Sequence, residues 1–197
     1  TPMGRGAVLG KVIIDATGDA DVCVAAGAEY HYLNDGDLCL QEASYRGIKG
    51  LYGNVLPIDH LDVYSSTMHH VLARNAGPYD VWDYYPMAAI RETRLIKGDY
   101  VINVIDQIIG RTYRDLVGVS WSAYDPHGYH NSDFIYAGLM PPTKHETKPG
   151  FATYFPLRSM LPAGLEGIMV AGRSHSVTHD VQASVRMNPD LINFGYA

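Results

Sequence analysis

Much of the chemically capable side-chain inventory falls in one short stretch. Val170-Ala171-Gly172-Arg173-Ser174-His175-Ser176-Val177-Thr178-His179 runs from an apolar segment through a glycine into an arginine, hydroxyl side chains and two histidines. Arginine offers a planar fork for phosphate or carboxylate. Histidine exchanges protons near neutral pH. The alternative is plain packing, but this density of polar groups directly after a core strand favours a site. Ala183-Ser184-Val185-Arg186-Met187-Asn188-Pro189 then leads into a helix starting near Pro189, where proline suits the first turn. The N-terminus of that helix presents free N–H groups and partial positive charge.

Those groups need elements to hold them. Gly167–Gly172 reads as a buried strand ending at glycine, and Lys11–Gly18 as another, β-branched and apolar. After the second, Asp19 is the expected N-cap of a short helix over Val22–Ala26, with Gly27 its stop. Strand, tight turn and helix make part of a βαβ unit. In open α/β sheets ligands sit at the carboxyl ends of the strands, where glycine lets backbone approach closely. Asp15-Ala16-Thr17-Gly18-Asp19 is therefore either a ligand-touching turn or simply a tight one. Gly4-Arg5-Gly6-Ala7-Val8-Leu9-Gly10 is not a dinucleotide fingerprint, because a strand must precede the glycines and a helix follow them; it reads as a hairpin turn.

The middle of the chain, rich in Tyr, Gly, Asp and Pro, has a different texture. Helices are expected over His60–Asn75, with Leu61, Tyr64, Met68, Val71 and Leu72 on one face, and over Val104–Gly110. Arg91–Ile105, Trp121–Tyr124, Asp133–Ala137 and Phe151–Leu157 read as extended, and Tyr129–Ser132 and Pro141–Gly150 as loops. The expected organisation is 1–28 and 153–197 as segments of one α/β domain, with 29–152 a mainly antiparallel, β-rich insert, α+β overall.

Bulk properties narrow the function classes. Of 197 residues, 47% are hydrophobic and 18% charged, an ordinary globular balance. A net charge of -6 argues against a broad nucleic-acid face. Cys23 and Cys39 form no C-x-x-C pair and read as reduced, buried thiols. No run approaches the roughly 18 apolar residues of a membrane span. His175 and His179 lack a His-Glu-x-x-His context, and neither His69-His70 nor His127 with His130 supplies the three or four ligands of a typical zinc site, so no metal is expected. No carboxylate pairing signals glycoside hydrolysis.

Lys11–Gly27, Ile90–Arg94, Tyr154–Pro162 and Gly167–Ala197 resemble, in order and spacing, the FAD-dependent oxidoreductase family, whose members share a glutathione-reductase-like FAD fold with a β-rich substrate insert. The resemblance implies FAD as cofactor, with contacts at Thr17, Gly18 and Asp19, at Gly172, Arg173 and Ser174, and at Ser184, Arg186, Asn188 and Pro189 around the flavin. It implies acid–base or substrate roles for His179, then His175, with Arg158 a further catalytic candidate. Arg91 and Arg94 are substrate-binding candidates, each serving equally well as a salt-bridge partner. The chain lacks the family's Gly-rich first βαβ unit, and its last helix stops without a cap. Both ends are thus expected to be cut, with another chain or segment carrying the adenosine site and covering the Val12–Ala16 and Ile168–Ala171 strands. The expected function is hydride transfer between a small organic substrate and flavin; a cytoplasmic setting is favoured, though no sequence feature fixes the compartment. A non-catalytic subunit that completes a flavoprotein complex is the alternative; a metal-dependent hydrolase is a third.

Overall fold

The computed structural model describes residues 6–32, 40–43, 55–57, 62–65, 67–68, 71, 88–89, 92–123 and 150–197. It is a mixed α/β structure with small parallel and antiparallel sheets. Strand β1 (Ile13–Asp15) and helix α1 (Asp21–Ala25) open it. Strands β2 (Tyr30–His31), β3 (Leu40–Ala43), β4 (Val55–Pro57), β5 (Ala88–Ala89) and β6 (Leu95–Ile96) follow. Helix α2 (Val104–Ile108) precedes the long strands β7 (Leu116–Ala123) and β8 (Gly150–Pro156). Strand β9 (Ile168–Val170) and helices α3 (His179–Val185) and α4 (Asn188–Tyr196) complete the order.

The two expected apolar strands pair directly. β1 lies parallel to β9, with Ile13 opposite Ile168 and Asp15 opposite Val170. Ala20, Cys23, Ala28, Ile96, Ile168 and Val170 form a small core beneath them. Val12, Ile13 and Ile14 nevertheless remain 61%, 45% and 60% exposed. Such apolar runs belong to parallel sheets covered on both faces. The hairpin expected at residues 4–10 is not seen in its described part: residues 6–10 form no strand, and β1 pairs with β9 rather than with the chain before it.

Helix α1 starts differently from expectation. Asp19 is not its N-cap; Ala20 occupies that position in the left-handed region, φ 55°, and no side chain at the cap accepts a hydrogen bond. The Asp19 carboxylate is engaged by Arg173 instead, at 3.0 Å. Capping falls to residues further back: the Thr17 hydroxyl accepts from the Asp21 N–H at 2.9 Å, and Asp15 Oδ2 accepts from the Cys23 N–H at 2.8 Å. These satisfy donors that the first helical turn leaves without intrahelical partners.

The remaining sheets are antiparallel: β2 with β6, β4-β3-β5, and β7 with β8. A second core joins Leu95, Ile102, Val104, Phe155, Val177, Val181, Ala183, Val185 and Phe194. Phe155 and Phe194 stack with ring centres 3.9 Å apart. Gly118 on β7 admits the Phe194 ring, since a Cβ there would stand 2.9 Å from it. Gly98 is pinched more tightly, with a Cβ position 2.9 Å from both the Arg158 carbonyl and the Ser176 side chain. That approach lets the 92–104 segment bridge to Pro162 on one side and Val177 on the other.

Helix α2 ends slightly earlier than expected, and its start is set by a capping box in which Asn103 accepts from the Ile105 and Asp106 N–H groups while Asp106 accepts from that of Asn103. Val104 and Ile105, where the expected helix and the expected extended stretch overlapped, open this helix. Within the expected 60–75 helix, residues 63–65, 67–68 and 71 are helical, and Tyr64 and Val71 are exposed. Leu61, Leu72 and the 124–149 segment lie outside the described residues.

Candidate functional site

At the carboxyl ends of β1 and β9 two turns lock together. Asp15, buried at the end of β1, accepts on Oδ1 from the Thr17 N–H (3.0 Å) and hydroxyl (2.7 Å), as well as from Cys23 on Oδ2. Burial alone would raise its carboxyl, but these hydrogen bonds outweigh it and hold the pKa below the usual carboxylate range. Burial, with the neighbouring Asp15 charge, pushes the Cys23 thiol up to about 12, so this cysteine is a packed thiol and not a nucleophile.

Across the crossing, Arg173 Nε donates to the Gly18 carbonyl at 3.1 Å and a terminal nitrogen donates to Asp19. The Ser174 hydroxyl donates to the same Gly18 carbonyl. The Arg173 carbonyl in turn accepts from Gln182 of α3 at 3.0 Å. Gly18 and Gly172 both have positive φ, 86° and 135°. A Cβ at Gly172 would meet nothing within 4 Å, so open space borders backbone at the strand end. Thr17, Gly18, Asp19, Gly172, Arg173 and Ser174, distant in sequence, are thereby assembled in one place.

The two histidines part company. His175 is buried beside Phe155, its Nδ1 2.6 Å from the Gly172 carbonyl and the ring edge-on to Phe155 at 4.9 Å. Nδ1 thus carries the proton as donor, and buried Nε2 has no hydrogen-bond partner. Burial drives its pKa down to about 4, against a smaller upward pull from the Gly172 carbonyl. His179 opens α3, with Nδ1 2.6 Å from Glu92 Oε2 and both side chains 2% exposed. The pair borders a pocket with His31, Leu95, Val101, Val177 and Thr178.

The other expected site residues are more dispersed. Ser184 lies in the core, its hydroxyl donating to the Val181 carbonyl and accepting from Gln107 at 2.7 Å. Arg186 is buried at the C-terminal cap of α3, and Asn188 and Pro189 form the exposed start of α4. Arg158 makes a two-pronged bond to Asp115 (2.9 and 3.1 Å) and lies 5.4 Å from the Tyr100 ring centre. Arg94 pairs with Asp21 beside the Tyr30 ring, tying α1 to the segment before β6. Arg91 lies outside the described residues, as do His69, His70, His127, His130 and Cys39. Among the described residues no cluster of three or more His, Cys, Asp or Glu could hold a metal ion.

Glu92 and His31 are the groups that sequence reasoning did not single out. Glu92 stands beside Thr93, and both are almost wholly buried, at 1% and 0%. The sequence around Glu92, Arg91-Glu92-Thr93-Arg94, is polar and gives no local sign of burial, so the signal appears only in the structure, where a buried Glu is rare without a partner.

Parallel strands meeting at a glycine-lined crossing, followed by a helix that begins with a buried histidine, define an α/β protein with a ligand-capable strand end. The family model "FAD dependent oxidoreductase" matches residues 78–197, more than half of the chain. The chain belongs to that family, and FAD is the cofactor the family implies. The matched span contains β5 to β9 with α2 to α4, and so Glu92, Arg173, His175 and His179, whereas β1 and its turn precede it. The chain matches no curated protein and no solved structure. The open backbone at Gly172, with positive φ at the end of a parallel strand, suits the close approach a bulky nucleotide cofactor needs. No described helix is long and apolar enough to cross a membrane.

Proposed function

We propose that this chain takes part in hydride transfer between a small organic substrate and FAD. Residues 1–28 and 153–197 are read as segments of a glutathione-reductase-like flavin domain, and 29–152 as the substrate insert. The observation that carries the reading is the crossing of the β1 and β9 ends, where Arg173 and Ser174 both bond the Gly18 carbonyl beside open backbone at Gly172. Thr17, Gly18, Asp19, Gly172, Arg173 and Ser174 would face the cofactor. Asn188 and Pro189 would present the α4 N-terminus to it, with Arg186 near by. Ser184 would contribute from within α3, through its bonds to the Val181 carbonyl and from Gln107.

The flavin, when bound, supplies the hydride acceptor or donor. The protein's own part is to orient substrate and move a proton, and His179 is the group assigned to that. His175, neutral until about pH 4, supports the Gly172 turn through its Nδ1 bond. Arg158 and Arg94 would approach substrate with Asp115 and Asp21 already bound to part of each guanidinium; Arg91 is proposed on the family resemblance alone. The exposed apolar surface of Val12, Ile13 and Ile14 supports a further segment, in this polypeptide or another, that extends the sheet and carries the adenosine site.

Flavin stoichiometry tests the reading. The protein, together with any partner chain it purifies with, should show flavin absorbance and release FAD on denaturation. Gly172→Val and Arg173→Gln, each with folding confirmed by circular dichroism, should lower bound FAD at least tenfold. Full flavin content in a folded Arg173→Gln and a folded Gly172→Val would refute the placement.

A further inference from the structure

We propose that His175 is a positioning residue for the candidate cofactor site: its ring closes the turn that carries Arg173 and Ser174 and joins that turn to α4, so that the seat for FAD keeps its shape. The inference deepens the oxidoreductase reading and rests on it for the identity of the ligand.

Gly172 to His175 form a tight turn with Arg173 and Ser174 at its two corners. The backbone bond that closes it is long: the His175 N–H donates to the Gly172 carbonyl at 3.3 Å. The side chain of the same residue doubles it, with Nδ1 2.6 Å from that oxygen. A carbonyl only accepts, so Nδ1 carries the proton. The peptide group is planar, so fixing its oxygen fixes the plane between Gly172 and Arg173 and the direction in which Arg173 leaves. From the corners, Arg173 Nε and the Ser174 hydroxyl both reach the Gly18 carbonyl, and a terminal nitrogen of Arg173 reaches Asp19. These bonds all cross from the β9 end to the β1 end. Their direction depends on the turn, and the turn on His175. Gly172, at φ 135°, brings little backbone preference of its own to hold it.

The ring also belongs to the core. It meets Phe155 edge-on at 4.9 Å and Phe194 at 5.9 Å, and those two rings stack on each other. Phe155 lies on β8 and Phe194 on α4. One side chain therefore touches the turn, the antiparallel sheet and the helix whose start is assigned to the cofactor. Histidine is a poor choice there for stability alone. Its Nε2 is buried with no hydrogen-bond partner. Burial keeps the ring neutral down to about pH 4, so Nε2 holds a bare lone pair inside an aromatic cage. A buried acceptor left unpaired has given up its hydration for nothing. Leucine would fill the cage and leave no such atom, but it has no donor for the Gly172 carbonyl. A packing rule broken at one core position points to a functional constraint, and what the ring adds over leucine is the Nδ1 bond to the turn.

Two substitutions separate the shape of the site from its stability. His175→Leu removes the donor and the orphaned nitrogen together. Its urea midpoint at neutral pH should equal or exceed that of the wild type. Its FAD affinity, measured on the protein with any partner chain it purifies with, should fall about tenfold, the scale of one lost hydrogen bond. His175→Asn keeps an N–H on the atom attached to Cγ, as Nδ1 is, but fills less of the cage. Its urea midpoint should fall while its FAD affinity stays within about threefold of the wild type. A flavin-free readout is the Arg173 Nε–H signal in 15N NMR, whose exchange with water should quicken about tenfold in His175→Leu and far less in His175→Asn. Unchanged FAD affinity in a folded His175→Leu overturns the proposal, and so does unchanged Arg173 exchange. A His175→Asn protein that folds yet loses FAD as fully as His175→Leu overturns it too. The wild-type ring should be protonated at Nδ1 with Nε2 bare; the opposite tautomer overturns the proposal even if neither variant folds. A wild type that binds no FAD, with the Arg173 exchange still quickened in His175→Leu, would sink the oxidoreductase reading and leave the positioning role standing.

Discussion

Two regions of this molecule bring distant residues together by opposite means. At the β1–β9 crossing the contacts are polar: Asp15 ties down Thr17 and the start of α1, and Arg173 and Ser174 clasp Gly18, while β1 itself leaves Ile13 and Ile14 exposed. Around β7, β8 and α3 the contacts are apolar: Phe155, Val177, Val181, Val185 and Phe194 close over one another, and the polar groups within include His175, bonded to the Gly172 carbonyl, and the Glu92–His179 pair. Hydrogen bonds stabilise modestly but fix direction, whereas apolar burial supplies most of the free energy with little directional preference. The crossing is therefore precise and shallow, and the α3 region deep.

That contrast can be broken in order of size. The largest effect belongs to the deep region: Phe155→Ala should lower stability by about 3 to 5 kcal/mol, the range for emptying an aromatic site that cannot collapse. A shift in the urea midpoint at constant slope is the check, and a change below about 1 kcal/mol would mean that Phe155 is not the centre of this core.

Next comes the acid response of the same region. His175 has its folded pKa lowered from 6.5 to about 4, so between those values the unfolded chain binds the extra proton and stability falls as pH falls. The wild type should lose on the order of 3 kcal/mol from this group across that window. His175→Gln should flatten the slope there by one proton, measured as urea stability against pH. An unchanged slope would place the ring in contact with water.

The smaller effect belongs to the crossing. Asp15→Asn leaves an N–H of α1 facing an amide nitrogen and should cost about 1 to 2 kcal/mol at neutral pH. The folded Asp15 carboxyl lies below its ordinary 3.8, so its contribution is complete above that value and lost as pH falls through the lower folded one. The gap between wild type and Asp15→Asn should accordingly narrow in acid. A gap that widened would reverse the sign of the assignment.

Several elements were legible without coordinates because local physics decides them. The β-branched runs that become β1 and β9, the stop at Gly27 with φ 99° and the proline-led start of α4 each rest on a backbone preference of a few neighbouring residues. Helix α3 was not legible: every residue in it except Asp180 is buried, which erases the one-sided apolar stripe by which a surface helix is read. The N-cap of α1 was misplaced for a related reason. Asp19 has the right side chain for the role, but Arg173, far along the chain, engages it.

The site divides along the same line. The sequence alone determined which residues carry chemistry after β9, and it brought Gly18 and Gly172 close to the strand ends, which fall two or three residues earlier at Asp15 and Val170, because these are properties of composition and near-neighbour spacing. Tertiary structure decided their company. It sent His175 into an apolar cage and His179 to a carboxylate, though both follow the same strand, and it gave the Arg158 guanidinium to Asp115. A side chain's proton affinity and its partner depend on burial and on charges within a few ångströms. Here those charges come from segments folded in from far along the chain, a placement that no local pattern encodes.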